Sequence, residues 1–208
     1  PYLHYYDQLL LTETFRSQCQ PDLVLQLGAP FVSKRLLQHL QNHRPQQWLL
    51  FANHPCRRDP AHAVTTRIEM PIEAFCSQAA KAISANSVSE WCRNLCAASS
   101  AVHETLTTFF ANDNSLSEPT IARIISEHIP AGHALFLGNS MPIRNMDMYA
   151  SDRGAQYGLP PVYGEIEGGK TNLVIANRGA SGIDGNIATA TGCARASGKP
   201  VTAIIGDL

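Results

Sequence analysis

Leu173-Val174-Ile175-Ala176-Asn177-Arg178-Gly179-Ala180-Ser181-Gly182-Ile183-Asp184-Gly185 opens as an apolar run and closes as a glycine-rich turn. Four consecutive apolar residues bounded by turn residues read as a buried strand. The stretch Asn186 to Arg195 that follows is rich in small residues and reads as a helix. Gly179, Gly182 and Gly185 let the backbone turn sharply and approach a ligand, because no Cβ stands in the way. Ser181 or Asp184 is placed to cap the helix, whose leading N–H groups face the same spot. Arg178 lies inside this turn, at the end of a strand, where α/β proteins bind ligands. The natural reading is an anion site; the simpler alternative is a tight connection with a surface arginine.

Repetition favours the site. His133-Ala134-Leu135-Phe136-Leu137 runs into Gly138-Asn139-Ser140 and a helical stretch carrying Arg144. Pro200-Val201-Thr202-Ala203-Ile204-Ile205 runs into Gly206-Asp207. Three strand ends thus offer Ser140, Arg144, Arg178 and Asp207 to one crevice.

The first half alternates in the same way. The spacing predicts an amphipathic helix over 7–19, a strand over 23–27, a helix opening at Ser33 as its cap, and a strand over 48–52. That alternation implies an α/β protein with a Rossmann-like parallel sheet. Helices are expected over 71–83 and 88–110, and again from Ser117 to His128 with Pro119 in the first turn. The polar run Ala111-Asn112-Asp113-Asn114-Ser115 marks the expected boundary between a domain over 1–112 and another over 113–208. Both ends read as cut, since the chain starts at Pro1 and stops just after a strand delivers Asp207, so an interior piece of a longer polypeptide is expected. The stretch from Ala150 to Lys170, with no periodicity, reads as a lid or as a decorative insertion.

Lys34 stands at a helix N-terminus, where a cation opposes the dipole, so it is better placed to bind a carboxylate than to stabilise the helix. A solvated lysine is the plain alternative. His54, Cys56, Asp59 and His62 contain metal-ligand residue types, but two prolines indicate a rigid loop and the spacing matches no standard zinc pattern.

Sixteen basic and seventeen acidic residues leave a formal charge of −1, with no basic block to bind nucleic acid. No apolar run approaches the roughly 20 residues of a membrane span. Six cysteines without a Cys-x-x-Cys pair read as reduced structural thiols. No Ser/His/Asp or Cys/His arrangement of credible spacing is present. Two arginines near an aspartate suit anionic substrates beside a metal-bound diphosphate, with Asp207 holding Mg²⁺ and the arginines gripping carboxylates. The chemistry itself is then a cofactor's.

Several of these stretches resemble one family. Gly138-Asn139-Ser140-Met141-Pro142-Ile143-Arg144, Asn177 to Gly185 and Gly206-Asp207-Leu208 are similar to motifs of the 2-succinyl-5-enolpyruvyl-6-hydroxy-3-cyclohexene-1-carboxylate synthases (MenD). So are Ser33-Lys34-Arg35-Leu36-Leu37-Gln38 and Arg58-Asp59-Pro60-Ala61-His62. The resemblance runs from about Leu23 to the end. Asn53-His54-Pro55-Cys56 and Met141-Pro142-Ile143-Arg144 resemble the photosynthetic-eukaryote form, a module of a fused protein.

The resemblance implies most of a central Rossmann-like domain followed by the first part of a thiamine diphosphate-binding α/β domain. It implies thiamine diphosphate and Mg²⁺ (or Mn²⁺) as cofactors, decarboxylation of 2-oxoglutarate, and addition of the succinyl carbanion equivalent to isochorismate. By matching positions, Arg144 and Arg178 would hold substrate carboxylates, with Lys34 reaching one from the central domain. Ser140 would lie near cofactor and intermediate, Ile183 would be the apolar wedge bending the cofactor, and Gly206-Asp207 would open the metal–diphosphate motif. The family's activating glutamate and its second metal ligand, an asparagine, have no counterpart here, so these residues alone should not catalyse. A homodimer or homotetramer and a plastid location (alternatively the cytoplasm) follow from the same resemblance. An acetolactate synthase-like enzyme and a non-catalytic Rossmann-type module are the competing readings.

Overall fold

The computed structural model describes residues 3–57, 59, 61–84, 87–151, 172–177, 182 and 184–206. It divides into two compact units, one formed by residues 6–99 and the other by the N-terminal segment with residues 100–208. Both are α/β, each around a parallel sheet.

The first unit holds β1 (Leu23–Leu27), β2 (Gln47–Ala52) and β3 (Thr66–Glu69) in the order β1-β2-β3. Central β2 is the most apolar strand, and its Trp48, Leu50, Phe51 and Ala52 are buried. A strand with neighbours on both sides and layers on both faces reads as a continuous apolar run. Trp48 Nε1 donates to Gln26 Oε1 at 3.0 Å, which satisfies both buried polar groups.

Helix α3 (Lys34–Asn42) connects β1 to β2, and Ser33 caps it as expected, its Oγ accepting from the Leu36 N–H at 3.0 Å. The Ser33 hydroxyl also donates to the buried Asp7 carboxylate, which pairs with Arg35 as well. Helices α4 (Ile72–Ala82) and α5 (Glu90–Asn112) follow β3.

The single helix expected over 7–19 is two short ones, α1 (Tyr6–Leu9) and α2 (Glu13–Gln18). Thr12 separates them: its hydroxyl donates to Leu9 O at 3.1 Å and accepts from Phe15 N–H at 3.4 Å. A threonine that can satisfy local backbone groups competes with helix continuation. Strand β3 has no counterpart among the expected elements, because Thr66-Arg67-Ile68-Glu69 carries one apolar residue and lies at the sheet edge.

In the second unit α5 ends at Asn112, and α6 (Glu118–His128) starts under a Ser117 cap with Pro119 in its first turn. Then come β4 (Ala134–Leu137), α7 (Met141–Tyr149), β5 (Leu173–Ala176), α8 (Asn186–Ser197) and β6 (Val201–Ile204). The strand order is β5-β4-β6, all parallel. Central β4 is buried throughout, with Ala134 and Phe136 at 0% exposure. The stretch expected to form a lid or insertion falls almost wholly on 152–171, outside the described residues.

Candidate functional site

The strand order creates the site. β4 lies between β5 and β6, and the register sets Leu137 opposite both Ala176 and Ile204. The three strands therefore end side by side at one edge. The chain passes from β4 through α7 to β5, then back through α8 to β6 on the far side. Right-handed crossovers in these opposite senses put α7 and α8 on opposite faces. Such a reversal opens a crevice beyond the carboxyl ends of the strands, where open α/β sheets bind ligands.

A cleft of 580 Å³ occupies this edge. Its lining includes Glu118 from α6, Asn139 and Ser140 from the turn after β4, Asn145 from α7, Asn186 from α8 and Gly206 after β6.

The turns around it are tied together. Asn139 Nδ2 donates to Gly182 O at 3.1 Å, joining the turn after β4 to the glycine-rich turn after β5. Asn177, where β5 ends, donates to Asn186 Oδ1 and Thr189 Oγ1 at 3.4 Å each, which fixes the first turn of α8. Gly138 N–H donates to Ile204 O at 2.7 Å, and a Cβ at position 138 would stand 3.1 Å from that oxygen. Glycine is needed there for the strands to approach.

Of the two residues expected to cap α8, Asp184 is not the N-cap and Ser181 lies outside the described residues. Gly185 is the N-cap, in a left-handed conformation (φ 78°), and itself offers no side-chain cap. A Cβ built at Gly182, Gly185 or Gly206 meets nothing within 4 Å. A glycine-capped helix N-terminus beside glycines that face open space suits a diphosphate.

Ser140 is the one non-glycine residue with a positive φ among the described residues of the site. It is exposed, is the N-cap of α7, and holds φ 70°, ψ −121°, where a side chain is disfavoured. Its hydroxyl does not cap α7. Arg144, exposed on the same helix, is in the same unit as the cleft but not among the residues lining it. Arg178, Ile183 and Asp207 lie outside the described residues. Lys34 belongs to the first unit, where it is exposed at the first position of α3 and makes no hydrogen bond or ion pair among the described residues.

In the 53–62 loop the Asp59 carboxylate accepts from the Ala63 and Val64 N–H groups, each at 3.1 Å, and so staples the loop. Residues that sequence reasoning passed over include the amides Asn139, Asn145, Asn177 and Asn186. The usable signal for two of them was position, since Asn139 and Asn177 each stand at the end of a strand that feeds the cleft.

The family model for the middle domain of thiamine pyrophosphate enzymes matches residues 1–137, well over half of the chain. The chain belongs to that thiamine pyrophosphate enzyme family.

Among similar proteins is the 2-succinyl-5-enolpyruvyl-6-hydroxy-3-cyclohexene-1-carboxylate synthase of Rubrobacter xylanophilus, 38% identical over 98% of this chain and 33% of its own length. The synthase of the same name from Chlorobium phaeobacteroides is 39% identical over 96% of this chain and 32% of its own. Protein PHYLLO, chloroplastic, of Arabidopsis thaliana is 33% identical over all of this chain and 12% of its own length. The chain thus spans about a third of the bacterial synthases it matches.

Proposed function

We propose that the polypeptide carrying this chain is a thiamine diphosphate- and Mg²⁺-dependent synthase. It decarboxylates 2-oxoglutarate and adds the succinyl unit to isochorismate, giving 2-succinyl-5-enolpyruvyl-6-hydroxy-3-cyclohexene-1-carboxylate. What carries the reading is the joined set of three strand ends around one cleft, in a chain similar along nearly its whole length to synthases of that name. Bound there, thiamine diphosphate supplies the electron sink that decarboxylation of a 2-oxo acid needs.

The chain's own residues take the following parts. The glycine-capped N-terminus of α8 and the open glycines receive the diphosphate, with Gly206-Asp207 contributing the first metal ligand. Ser140 offers a hydroxyl free of capping duty, and Ile183 bears against the cofactor as an apolar wedge. Arg144 and Arg178 hold substrate carboxylates by paired hydrogen bonds, and Lys34 adds a third cation from the central domain. In this reading residues 1–112 are central domain and 113–208 the front of the diphosphate domain. The enzyme acts as a homodimer or homotetramer, and a plastid location is supported by the chloroplastic relative.

The test compares 2-oxoglutarate with pyruvate as substrate of the full-length protein, supplied with thiamine diphosphate and Mg²⁺. Decarboxylation of 2-oxoglutarate at least a hundredfold above pyruvate in kcat/KM is expected, about 2.7 kcal/mol of discrimination from the extra carboxylate clamp. A preference for pyruvate would instead make it an acetolactate synthase-like enzyme.

A further inference from the structure

One pair in the cleft has no part in the roles above. Glu118 is in the first turn of α6, Asn145 is on α7, and Asn145 Nδ2 donates to Glu118 Oε2 at 2.8 Å. Asn145 is 3% exposed, whereas Glu118 is exposed and lines the cleft together with Ser140. Among the described lining residues Glu118 is the only ionisable one. A carboxylate beside a cleft for anionic ligands works against them by like charge, so its presence there calls for a compensating use.

The geometry supplies one. A negative charge in the first turn of α6 is favoured by the helix dipole, and a hydrogen bond to a charged acceptor is stronger than one to a neutral acceptor. Helices α6 and α7 pack together. Asn145 directly follows Arg144 and lies five residues beyond Ser140, the N-cap of the same helix. A bond that fixes Asn145 therefore fixes the rotation of α7 about its axis, and with it the placement of Ser140 and Arg144.

We propose that Glu118 and Asn145 are a positioning pair that sets the rotational register of α7 for substrate binding. The proposal rests on the functional reading above. Glu118 touches neither substrate nor cofactor in this account; it acts through Asn145.

The test uses the full-length protein with E118A, E118Q, N145A and the E118A/N145A double variant. Hydrogen exchange across 141–149 reports the clamp without reference to activity, and steady-state kinetics on 2-oxoglutarate report its consequence. E118A and N145A are expected to speed exchange across α7 several-fold. They should also raise KM about tenfold while leaving kcat within about twofold, as loss of ground-state positioning does. The double variant should be no worse than either single one, since the two share one interaction. E118Q, which keeps a neutral acceptor oxygen for Asn145 but loses the charge that strengthens the bond, should fall between wild type and E118A in both measurements. Unchanged exchange and KM in E118A would overturn the proposal. So would an E118Q as impaired as E118A, which would mean that the charge itself meets the substrate. If the wild type does not turn over 2-oxoglutarate, the functional reading fails, and the exchange data still decide whether the pair holds α7.

Discussion

Ser140 carries a cost that the fold does not require. At φ 70° and ψ −121° a glycine would be at ease, whereas a serine is strained by about 1–3 kcal/mol. Its hydroxyl does not offset this by capping α7. Ser140→Gly is therefore expected to be more stable than Ser140→Ala by about 1 kcal/mol, read as a higher melting temperature, while both variants bind thiamine diphosphate more weakly than wild type. A Ser140→Gly protein that melts lower than Ser140→Ala would show that the backbone is not strained. Gly138 behaves oppositely, since an added Cβ would press on Ile204 O and on Ile205 Cα. Gly138→Ala should destabilise by roughly 1–3 kcal/mol, seen as a lower urea midpoint, because parallel strands cannot part there without losing the Gly138–Ile204 bond. Ser140 was legible in the sequence as a polar residue after a strand, but its strain was not, because φ is set by the turn that tertiary packing imposes. The amides escaped notice for a related reason. Asn139 and Asn145 carry no charge, and their importance comes from partners 43 and 27 residues away.

At the scale of elements, strand–helix order was readable wherever the apolar pattern was strong. The central strands β2 and β4 are near-continuous apolar runs because each is flanked on both sides. β3 lies at an edge with a single apolar residue, so no periodic signal announces it. Caps followed the same logic: Ser33 was legible, Ser117 was read only as the start of its helix, and α8 is capped by a left-handed glycine that the polar residues nearby obscured. Replacing Ser33 by Ala removes both the cap of α3 and a hydroxyl donor to buried Asp7, and should cost about 1–2 kcal/mol in thermal unfolding. The link between α5 and α6 is expected to weaken in acid. The Thr120 hydroxyl, bonded to Asp113 at 2.6 Å, and then Ser115 hold the Asp113 carboxyl below the ordinary carboxylate range. A depressed folded-state pKa contributes stability above the unfolded value, and that contribution is lost as pH falls through the folded one. The melting-temperature gap between wild type and Thr120→Val should therefore be widest near neutral pH and narrow below the carboxylate range. A gap that is flat with pH would remove Asp113 from the account.

At the scale of the molecule, two α/β units share one chain, and the second presents three strand ends to one cleft. The α/β class was legible from alternation alone, since a parallel sheet demands crossovers. The strand order β5-β4-β6 was not, because no local pattern says on which side a returning strand will pair. That order is what makes a crevice out of three separate turns. Isochorismate-dependent release of CO₂ from 2-oxoglutarate, measured on the full-length protein with thiamine diphosphate and Mg²⁺ for wild type and Arg178→Ala, tests this most directly. The account predicts release that rises with isochorismate and falls at least a hundredfold in kcat/KM in the variant, about 2.7 kcal/mol for loss of a paired carboxylate contact. Release indifferent to isochorismate, or undiminished in Arg178→Ala, would contradict it.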